Sequence, residues 1–339
     1  MATKQTRWRP AGMLATVLGA LVPLAGVAPL ALSEGAAAAD AYPSRPIKLI
    51  VGYTPGGPVD TAARVYADHL GRVLKQPVVV DNRAGASGAI AAEITAKAPP
   101  DGYTLYFVAS PTMTMTPLIQ KAVNFNPSRD FSHIGLITDY TNVLLINKDF
   151  PARNVGELVE YARKHPQGVA FGSAGVGASN HLSAELLAQM SGVKMLHVPY
   201  KGNSPAMTDV ISGKIAFMFD ITGTAIGHIQ GGKVRPLAVT SKERNAALPN
   251  VPTMVESGLK DYAVTGWYAL IGPPKLPAEV VDTLVKAQQT VGDDPAFRQR
   301  MTQGGYDLNI TGPKPLAERI ERELRLWGGV VKTAKIEVE

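Results

Sequence analysis

The sequence predicts an α/β fold in two domains, with a ligand cleft between them. Short apolar β-like runs alternate with helical runs after Tyr42, an order typical of parallel sheets covered by helices on both faces. The 339 residues are enough for two domains, and 45% hydrophobic with 18% charged residues is typical of a globular protein. In such a fold we expect ligands at the carboxyl ends of the strands.

Apolar runs predict the strands, and helical periodicity predicts the helices between them. The predicted strands span residues 47–51, 78–81, 105–108, 143–146, 169–171, 194–198, 215–219 and 237–239. The predicted helices span residues 61–74, 155–164, 181–190, 205–211 and 277–291. In the first helix, Ala62, Val65 and Tyr66 share one face at i, i+3 and i+4 spacing.

Two β-rich, turn-poor passages, 134–147 and 262–271, indicate where the chain crosses between the domains. A chain that crosses twice makes one domain discontinuous. We therefore expect residues 42–141 and 265–339 to form the first domain and residues 142–264 to form the second.

Residues 1–41 predict a secretory signal peptide. Lys4, Arg7 and Arg9 precede an uncharged run over 11–32, and a small-residue cleavage motif ends at Ala41. The alternative is a transmembrane anchor, because so long an uncharged run can nearly span a bilayer. The cleavage motif and the proline and glycine residues within the run favour a signal peptide that is cleaved off over a transmembrane anchor. We expect export to the periplasm after cleavage near Ala41.

Composition excludes several classes of protein and site. The chain has no cysteine, which excludes disulfides, a cysteine nucleophile and a lipid anchor on an N-terminal cysteine. The formal net charge of +6 is mild, and no dense basic run with interleaved aromatic residues is present, so we expect no nucleic acid partner. The six histidines lack metal-binding spacing, and we expect neither a metal nor a cofactor.

Glycine-rich loops at 53–60, 83–88 and 172–181 follow a strand–glycine–helix pattern. A helix start offers free N–H groups and a partial charge of about +0.5, which favour a carboxylate or a phosphate. In the first loop, Gly56 and Gly57 let the backbone turn, and we expect Asp60 to cap the following helix. A tight turn without a ligand explains this loop equally well.

Side chains beside the second and third loops are further candidates. Arg83 could bind a carboxylate in bidentate fashion, or it could pair with Asp81. The third loop fits neither a dinucleotide fingerprint nor a P-loop. Ser173 is the better ligand candidate there, because Ser179 and Asn180 are residue types that cap helices.

Two polar residues follow later strands. Tyr200 comes after the strand over 194–198, where side chains can point into a cleft. Asp220 comes after the strand over 215–219 and could accept a ligand amine or hydroxyl, or could cap the turn over 221–223.

We find no catalytic motif in the sequence and expect no catalytic residue. Neither Ser87 nor Ser179 lies in a G-x-S-x-G frame, which a nucleophile elbow requires. The alternative from another class is a secreted α/β hydrolase, with His181 or His197 near a serine of the cleft.

An ordered series of motifs resembles the Bug family of extracytoplasmic solute receptors, the binding proteins of tripartite tricarboxylate transporters. The resemblance runs from Tyr42 to the C-terminus. Its main motifs are YPxRPI from Tyr42, PGGxxDxxAR from Pro55, NRxGAxG from Asn82, PDGYTL from Pro100, GSAGxGxxxHL from Gly172 and HVPYKGxxPA from His197.

The resemblance implies a type II periplasmic-binding-protein fold, in which a hinge joins two α/β domains, and no enzymatic activity. It implies that a small carboxylate (a di- or tricarboxylate, an acidic amino acid or an aromatic acid) binds in the cleft of a monomer. The partner is then the permease of a tripartite tricarboxylate transporter or a sensor domain. A receptor that serves a sensor kinase without transport is the remaining alternative.

By the same resemblance, both domains contribute to the ligand site. The implied site residues are Tyr53, Thr54, Gly56, Gly57, Arg83 and Ser110 in the first domain and Ser173, Gly177, Ser179, Asn180, Tyr200 and Asp220 in the second. The chain departs from the family pattern at Ser87, where a glycine is common, and over 109–117 and 221–223. These positions border the expected pocket and bear on which carboxylate it binds.

Overall fold

Strands and helices alternate along the chain, as the sequence predicts. The structure, a computed structural model, describes residues 42–165 and 168–334, so the predicted signal peptide lies outside the described residues. The described strands are β1 (Ile47–Val51), β2 (Val78–Asn82), β3 (Thr104–Ala109), β4 (Ser132–Asn147), β5 (Ala170–Ser173), β6 (Leu196–Pro199), β7 (Phe217–Ile221), β8 (Val234–Val239), β9 (Thr265–Gly272) and β10 (Tyr306–Leu308).

The helices lie between and after these strands. They are α1 (Pro58–Leu74), α2 (Ala89–Ala96), α3 (Ser110–Thr114), α4 (Thr116–Ile119), α5 (Val155–Lys164), α6 (Ser179–Ser191), α7 (Asn203–Ile211), α8 (Thr222–Gln230), α9 (Ala278–Asp293), α10 (Pro295–Gln303) and α11 (Pro313–Ala334). None of the helices described here is long and apolar enough to cross a membrane.

Strand β4 belongs to two sheets. Its residues up to Thr141 pair with β9, and its residues from Asn142 pair with β7 and β8. The first sheet has the order β2-β1-β3-β9-β4, with β10 also on β4. The second has the order β4-β7-β5-β6, with β8 also on β4. We call 42–141 with 265–334 the first half and the described residues of 142–264 the second half.

The sheets are mixed, whereas the sequence predicted parallel sheets. Strand β1 is parallel to β2 and β3, and β5 is parallel to β6 and β7. Strand β9 is antiparallel to both β3 and β4, and β4 is antiparallel to β7, β8 and β10. The physical reason is that β4 leaves the first half and β9 returns beside it in the opposite direction. The predicted domain boundaries stay a prediction, because residues from 42 onward pack as one compact unit.

Both faces of the first sheet are buried. Tyr106 and Phe107 are neighbours on β3 and point to opposite faces, and so do Trp267 and Tyr268 on β9. All four side chains are fully buried. Burial of one large apolar side chain is worth roughly 1.5–3 kcal/mol, so these strands form a rigid base for the loops at their ends.

Helix α1 begins earlier than the predicted residue 61. Pro58 is the first helical residue and Gly57 is the N-cap, which places Asp60 inside the first turn. The prediction that Asp60 caps this helix is therefore wrong. The physical reason is that proline suits the first helical position, where its missing N–H costs nothing.

Candidate functional site

Helix N-termini from both halves meet around a small buried cavity. Helices α1 and α3 follow β1 and β3 in the first half, and α6, α7 and α8 follow β5, β6 and β7 in the second. The lining residues come from the ends of these strands, from the loops and helix starts that follow them and from β4, and they are Tyr53, Val59, Ala109, Pro111, Tyr140, Ala174, Ala178, Ser179, Asn180, Asn203 and Ile221. The cavity volume is about 10 Å³, the space of roughly one water-sized sphere.

The electrostatics of the cavity come from the backbone. Each helix start carries a partial positive charge of about +0.5 and unpaired N–H groups. Among the described residues that line the cavity, none is lysine, arginine or histidine, and none is a carboxylate. Such a cavity favours an anion through neutral donors alone.

The first glycine loop is held from inside by Asp60. The Gly56 N–H donates to Asp60 Oδ2 at 2.9 Å, Arg64 donates to the same oxygen at 2.9 Å, and Asn82 donates to Oδ1 at 2.9 Å. Burial raises the pKa of Asp60, but hydrogen bonds from Arg64, Gly56 and Asn82 outweigh it and hold this pKa below its usual value. The Gly56 N–H is therefore engaged within the loop. Gly56 and Gly57 both line a groove beside the cavity.

The third glycine loop, residues 172–180, is also held by its own side chains. The Gly175 N–H donates to Ser173 Oγ at 3.1 Å, and the Gly177 N–H donates to His181 Nδ1 at 3.1 Å. Asn180 Oδ1 accepts from the Ala174 N–H at 3.1 Å. Of the residues predicted in this loop, Ser179 and Asn180 line the cavity, whereas Ser173 and Gly177 do not. Ser173 and Gly177 shape the loop from behind.

Two buried polar atoms of the first half have no hydrogen-bond partner among the described residues: Thr54 Oγ1, which lies beside Gly202, and Tyr268 OH. The Tyr268 ring packs on that of Tyr140, a lining residue, with 4.7 Å between centroids. A buried polar group left unpaired costs about 1–3 kcal/mol. Neither atom belongs to a residue that lines the cavity.

Asp220 orients the side-chain amides of Asn203 and Asn180 through a chain of hydrogen bonds. Its Oδ1 accepts from Asn203 Nδ2 and from the Ile221 N–H (2.8 Å), and its Oδ2 accepts from Thr224 Oγ1 (2.7 Å). Asn203 Oδ1 in turn accepts from Asn180 Nδ2 at 3.3 Å. Because each NH₂ group has two hydrogens, both amides retain one N–H beyond these bonds. Asp220 itself lines a groove of about 350 Å³ beside Gly56 and outside the cavity.

Arg83 and Tyr200 lie apart from the cavity, whereas Ser110 lies beside it, between two lining residues. Arg83 pairs with Asp81 through two hydrogen bonds of 3.0 and 3.1 Å, and its side chain is half exposed. Tyr200 donates to Asp209 at 2.7 Å and lines a second groove of about 340 Å³. Ser110 begins α3, and its Oγ accepts from the Trp267 N–H at 3.2 Å. The polar groups of these three side chains form hydrogen bonds with other residues of the protein, which the sequence alone does not reveal.

Tyr53 lines the cavity as expected, whereas two other polar lining residues, Tyr140 and Asn203, were missed. The Tyr53 hydroxyl donates to the Ser87 carbonyl at 3.1 Å and so braces the second glycine loop. Asn203 was missed because the predicted helix began at 205, although its place after a strand was a usable signal. Tyr140 was missed because nothing local in β4 indicates where its side chain points.

The two halves touch across the mouth of the second groove. Ser87 Oγ and Gln120 Nε2 of the first half both donate to the Val176 carbonyl of the second, the latter at 3.1 Å. A Cβ on Gly175 would lie 2.9 Å from Ser87 Oγ, and a Cβ on Gly202 would lie 2.2 Å from Thr54 Oγ1. Glycine is needed at both positions for this close approach, so the structure has its halves closed on each other.

A serine–histidine contact lies behind the third loop. Ser173 Oγ is 2.6 Å from His197 Nε2, but Ser173 is fully buried and its Oγ also pairs with Gly175. The nearby Glu185 pairs with His181, at 3.6 Å. A nucleophile must reach a substrate, and its base needs an orienting partner, so this contact does not form a catalytic triad. The described residues contain no cluster of three or more His, Asp or Glu able to hold a metal.

Comparisons with known proteins agree with this geometry. The chain matches the tripartite tricarboxylate transporter family receptor, TctC, over residues 62–336. It is similar to the solved periplasmic binding protein BugD, with 36% identity, a TM-score of 0.84, and coverage of 87% of this chain and 99% of that one.

Two further solved structures contain ligands. Rpa4515 of Rhodopseudomonas palustris with adipate has 32% identity, a TM-score of 0.85, and coverage of 87% and 99% of the two chains. MatC of the same organism with bound malate has 30% identity, a TM-score of 0.82, and coverage of 86% and 100%.

The resemblance to the Bug family and the expected periplasmic-binding-protein fold are thus confirmed, and so is the expectation that the protein is not an enzyme. The chain belongs to the TctC/Bug family of tripartite tricarboxylate transporter receptors, and it is a periplasmic solute-binding protein.

Proposed function

We propose that this protein captures a small organic acid through its carboxylate groups, in the cavity between its two halves. The convergence of helix N-termini without a cationic side chain is the observation that carries the proposal. Helix starts stabilise a carboxylate through N–H donors and partial charge. The amides of Asn180 and Asn203 add neutral donors at the same place.

The ligands of the two related structures, adipate and malate, are dicarboxylates of different length. They support a dicarboxylate as the first candidate class for this chain. The apolar lining by Val59, Pro111 and Ile221 suits the hydrocarbon part of such a ligand.

Ligand entry requires the halves to separate, because the closed cavity holds only about 10 Å³. We propose that residues 42–141 with 265–339 and residues 142–264 move as two domains. The hinge then lies where β4 changes sheets at Thr141 and where the chain returns before Thr265. The ligand shifts the population toward the closed state, since it contacts both halves only there.

The partner proposed for the closed, loaded form is the permease of a tripartite tricarboxylate transporter. Family membership supports this choice over a sensor domain. Removal of the signal peptide near Ala41 belongs to the same proposal, because the family acts in the periplasm.

A thermal-shift screen with neutral analogues tests the proposal. Mono-, di- and tricarboxylates, with adipate and malate first, are each paired with the corresponding amide. At 100 times Kd a ligand stabilises the folded state by about 2.7 kcal/mol, so at least one acid should raise the melting temperature saturably while its amide does not. No saturable shift by any acid, or equal shifts by acid and amide, would contradict carboxylate capture. Conversion of a bound compound into product would support the hydrolase alternative.

A further inference from the structure

The loop over 172–180 connects β5 to α6 and supplies four residues of the cavity wall, Ala174, Ala178, Ser179 and Asn180. Its path depends on Gly175 and Gly177, which have φ values of 129° and 77°. A loop with this backbone has few regular hydrogen bonds, so side chains behind it must fix its shape.

Two stacked imidazole rings lie behind the loop. His181 and His197 are parallel, with 4.0 Å between their centroids and 23° between their planes. His181 Nδ1 accepts from the Gly177 N–H at 3.1 Å. His197 Nε2 contacts Ser173 Oγ at 2.6 Å, and that Oγ accepts from the Gly175 N–H at 3.1 Å. Each ring therefore holds one glycine amide of the loop, His181 directly and His197 through Ser173.

The contacts of His181 fix its tautomer. Nδ1 must carry a lone pair to accept from Gly177, so the proton of the neutral ring is on Nε2. Nε2 lies 3.6 Å from Glu185 Oε1, one helical turn further along α6. The interaction with His181 lowers the pKa of Glu185, which keeps an acceptor facing Nε2. The ring is buried, with 8% of the residue exposed.

We propose that His181 is a positioning residue for ligand capture. It accepts the Gly177 N–H and thereby holds the loop over 172–180 in the shape that brings the start of α6 to the cavity. This inference rests on the proposed function, because it assigns to His181 an effect on carboxylate affinity. Without an acceptor at Nδ1, the Gly177 N–H would be left buried and unpaired, and the loop would turn it toward another partner.

Three variants of His181 distinguish the role of Nδ1 as a hydrogen-bond acceptor from the role of the ring in packing. Asn carries an oxygen close to the position of Nδ1, whereas Gln reaches toward Nε2 and Leu has no acceptor. His181→Asn should keep the Gly177 bond, and His181→Gln and His181→Leu should lose it. If His181→Leu does not fold, the Asn–Gln pair still makes the comparison. His133→Leu is the matched control, because His133 contacts the Pro127 carbonyl in the first half, away from the loop.

The first readouts need no ligand. Nitrogen-15 NMR of the wild-type protein should show His181 as the Nε2–H tautomer. Amide exchange at Gly177 should be slow in the wild type, His181→Asn and His133→Leu, and at least tenfold faster in His181→Gln and His181→Leu. The Nδ1–H tautomer, or unchanged exchange in His181→Gln and His181→Leu, would overturn the proposal.

The second readout is calorimetric affinity for adipate and for malate. Kd should rise at least tenfold in His181→Gln and His181→Leu and stay within threefold of the wild type in His181→Asn and His133→Leu. Equal affinity in all variants would refute a role in capture, even where the exchange data support a role in loop shape. If the wild-type protein binds neither acid nor any other carboxylate, the proposed function fails, and the exchange data alone decide whether His181 holds the loop.

Discussion

Asp220 is a buried carboxylate that acts on its neighbours. From the sequence it was equally a ligand contact or a turn cap, and the structure gives it the task of orienting Asn203 and the start of α8. A carboxylate close to an anion site is unfavourable for the anion. Its three hydrogen bonds offset part of that cost by fixing the amide donors of the cavity.

The charge of Asp220 should reduce stability at neutral pH. Burial raises its pKa from 3.8 to about 6, which means that the folded state resists ionisation. The neutral form of Asp220 therefore stabilises the folded state. This contribution is complete below pH 3.8, the pKa of the unfolded state, and is lost as the pH rises through about 6, the pKa of the folded state. Asp220→Asn keeps an oxygen for Asn203 and Ile221 and an NH₂ group for Thr224, but it carries no charge.

Urea unfolding at two pH values measures this effect. Asp220→Asn should raise the free energy of unfolding by up to about 3 kcal/mol at pH 7.5, because it removes the buried charge that the raised pKa of Asp220 reflects, and by less at pH 4.5. The control is Asp209→Asn on α7. A hydrogen bond from Tyr200, and a second one from Lys214, lower the pKa of Asp209, so the charge of this carboxylate stabilises the folded state. Destabilisation of Asp220→Asn at both pH values would contradict the account.

At the scale of elements, we expect the contact between the second and third glycine loops to stabilise the closed arrangement of the two halves. Ser87 and Gln120 donate to one carbonyl, that of Val176, from the other half. A neutral hydrogen bond contributes about 0.5–1.5 kcal/mol net, so losing one should weaken ligand affinity by roughly 2- to 10-fold. We call the Val176 carbonyl and its two donors the latch, because these hydrogen bonds join the two halves in this structure.

Ser87→Ala, Ser87→Gly and Gln120→Leu test the latch. Ser87 has a φ of 50°, which glycine adopts more easily than alanine, so the two Ser87 variants differ in backbone strain but lose the same donor. Both should increase the radius of gyration of the ligand-free protein in X-ray scattering and weaken carboxylate binding alike. Ser257→Ala removes a hydrogen bond within the second half and should change neither. Unchanged scattering and affinity in all three latch variants would refute the latch.

The elements were predictable where local patterns decide them. The strand over 47–51 was predicted with its observed bounds, because an apolar run followed by Gly56 and Gly57 defines it. The β-rich passages predicted at 134–147 and 262–271 correspond to β4 and β9. Their antiparallel pairing was not predicted, since the two strands are distant in sequence and pair only in the tertiary fold. The same holds for Tyr140, whose place at the cavity follows from that pairing.

The candidate site was predictable where it coincides with glycine loops. Tyr53, Ser179 and Asn180 line the cavity because they lie at strand ends and helix starts. Arg83 does not reach it, because Asp81 is a closer partner two residues away. Whether a polar side chain binds a ligand or a nearby residue depends on the distances between them, and the sequence alone does not give those distances.

At the scale of the whole molecule, two parallel-strand units point the carboxyl ends of their strands at each other. Helix N-termini from both units then face a common cavity, which makes a positive potential without cationic side chains. The chain passes between the units where β4 changes sheets at Thr141 and again just before β9 begins at Thr265, and these two residues are register partners. Glycine at 175 and 202 allows the loops to meet when the units close.

A larger groove outside the cleft offers a competing place for an anion. It has a volume of about 760 Å³ between α1 and α10 and includes Arg72 and Arg300. Arg72 pairs with Asp68 at 2.7 Å, and both side chains are mostly exposed, so solvent screens their charges. We therefore propose that the ligand binds in the cavity between the halves rather than in this groove.

The crystal structure of the protein with the carboxylate that stabilises it most in the screen tests this assignment directly. The account predicts a ligand enclosed by both halves, with carboxylate oxygens on backbone N–H groups at the starts of α6 and α1 and on the amides of Asn180 and Asn203. A ligand held by Arg72 and Arg300 in the groove between α1 and α10, or one bound to a single half, would contradict it.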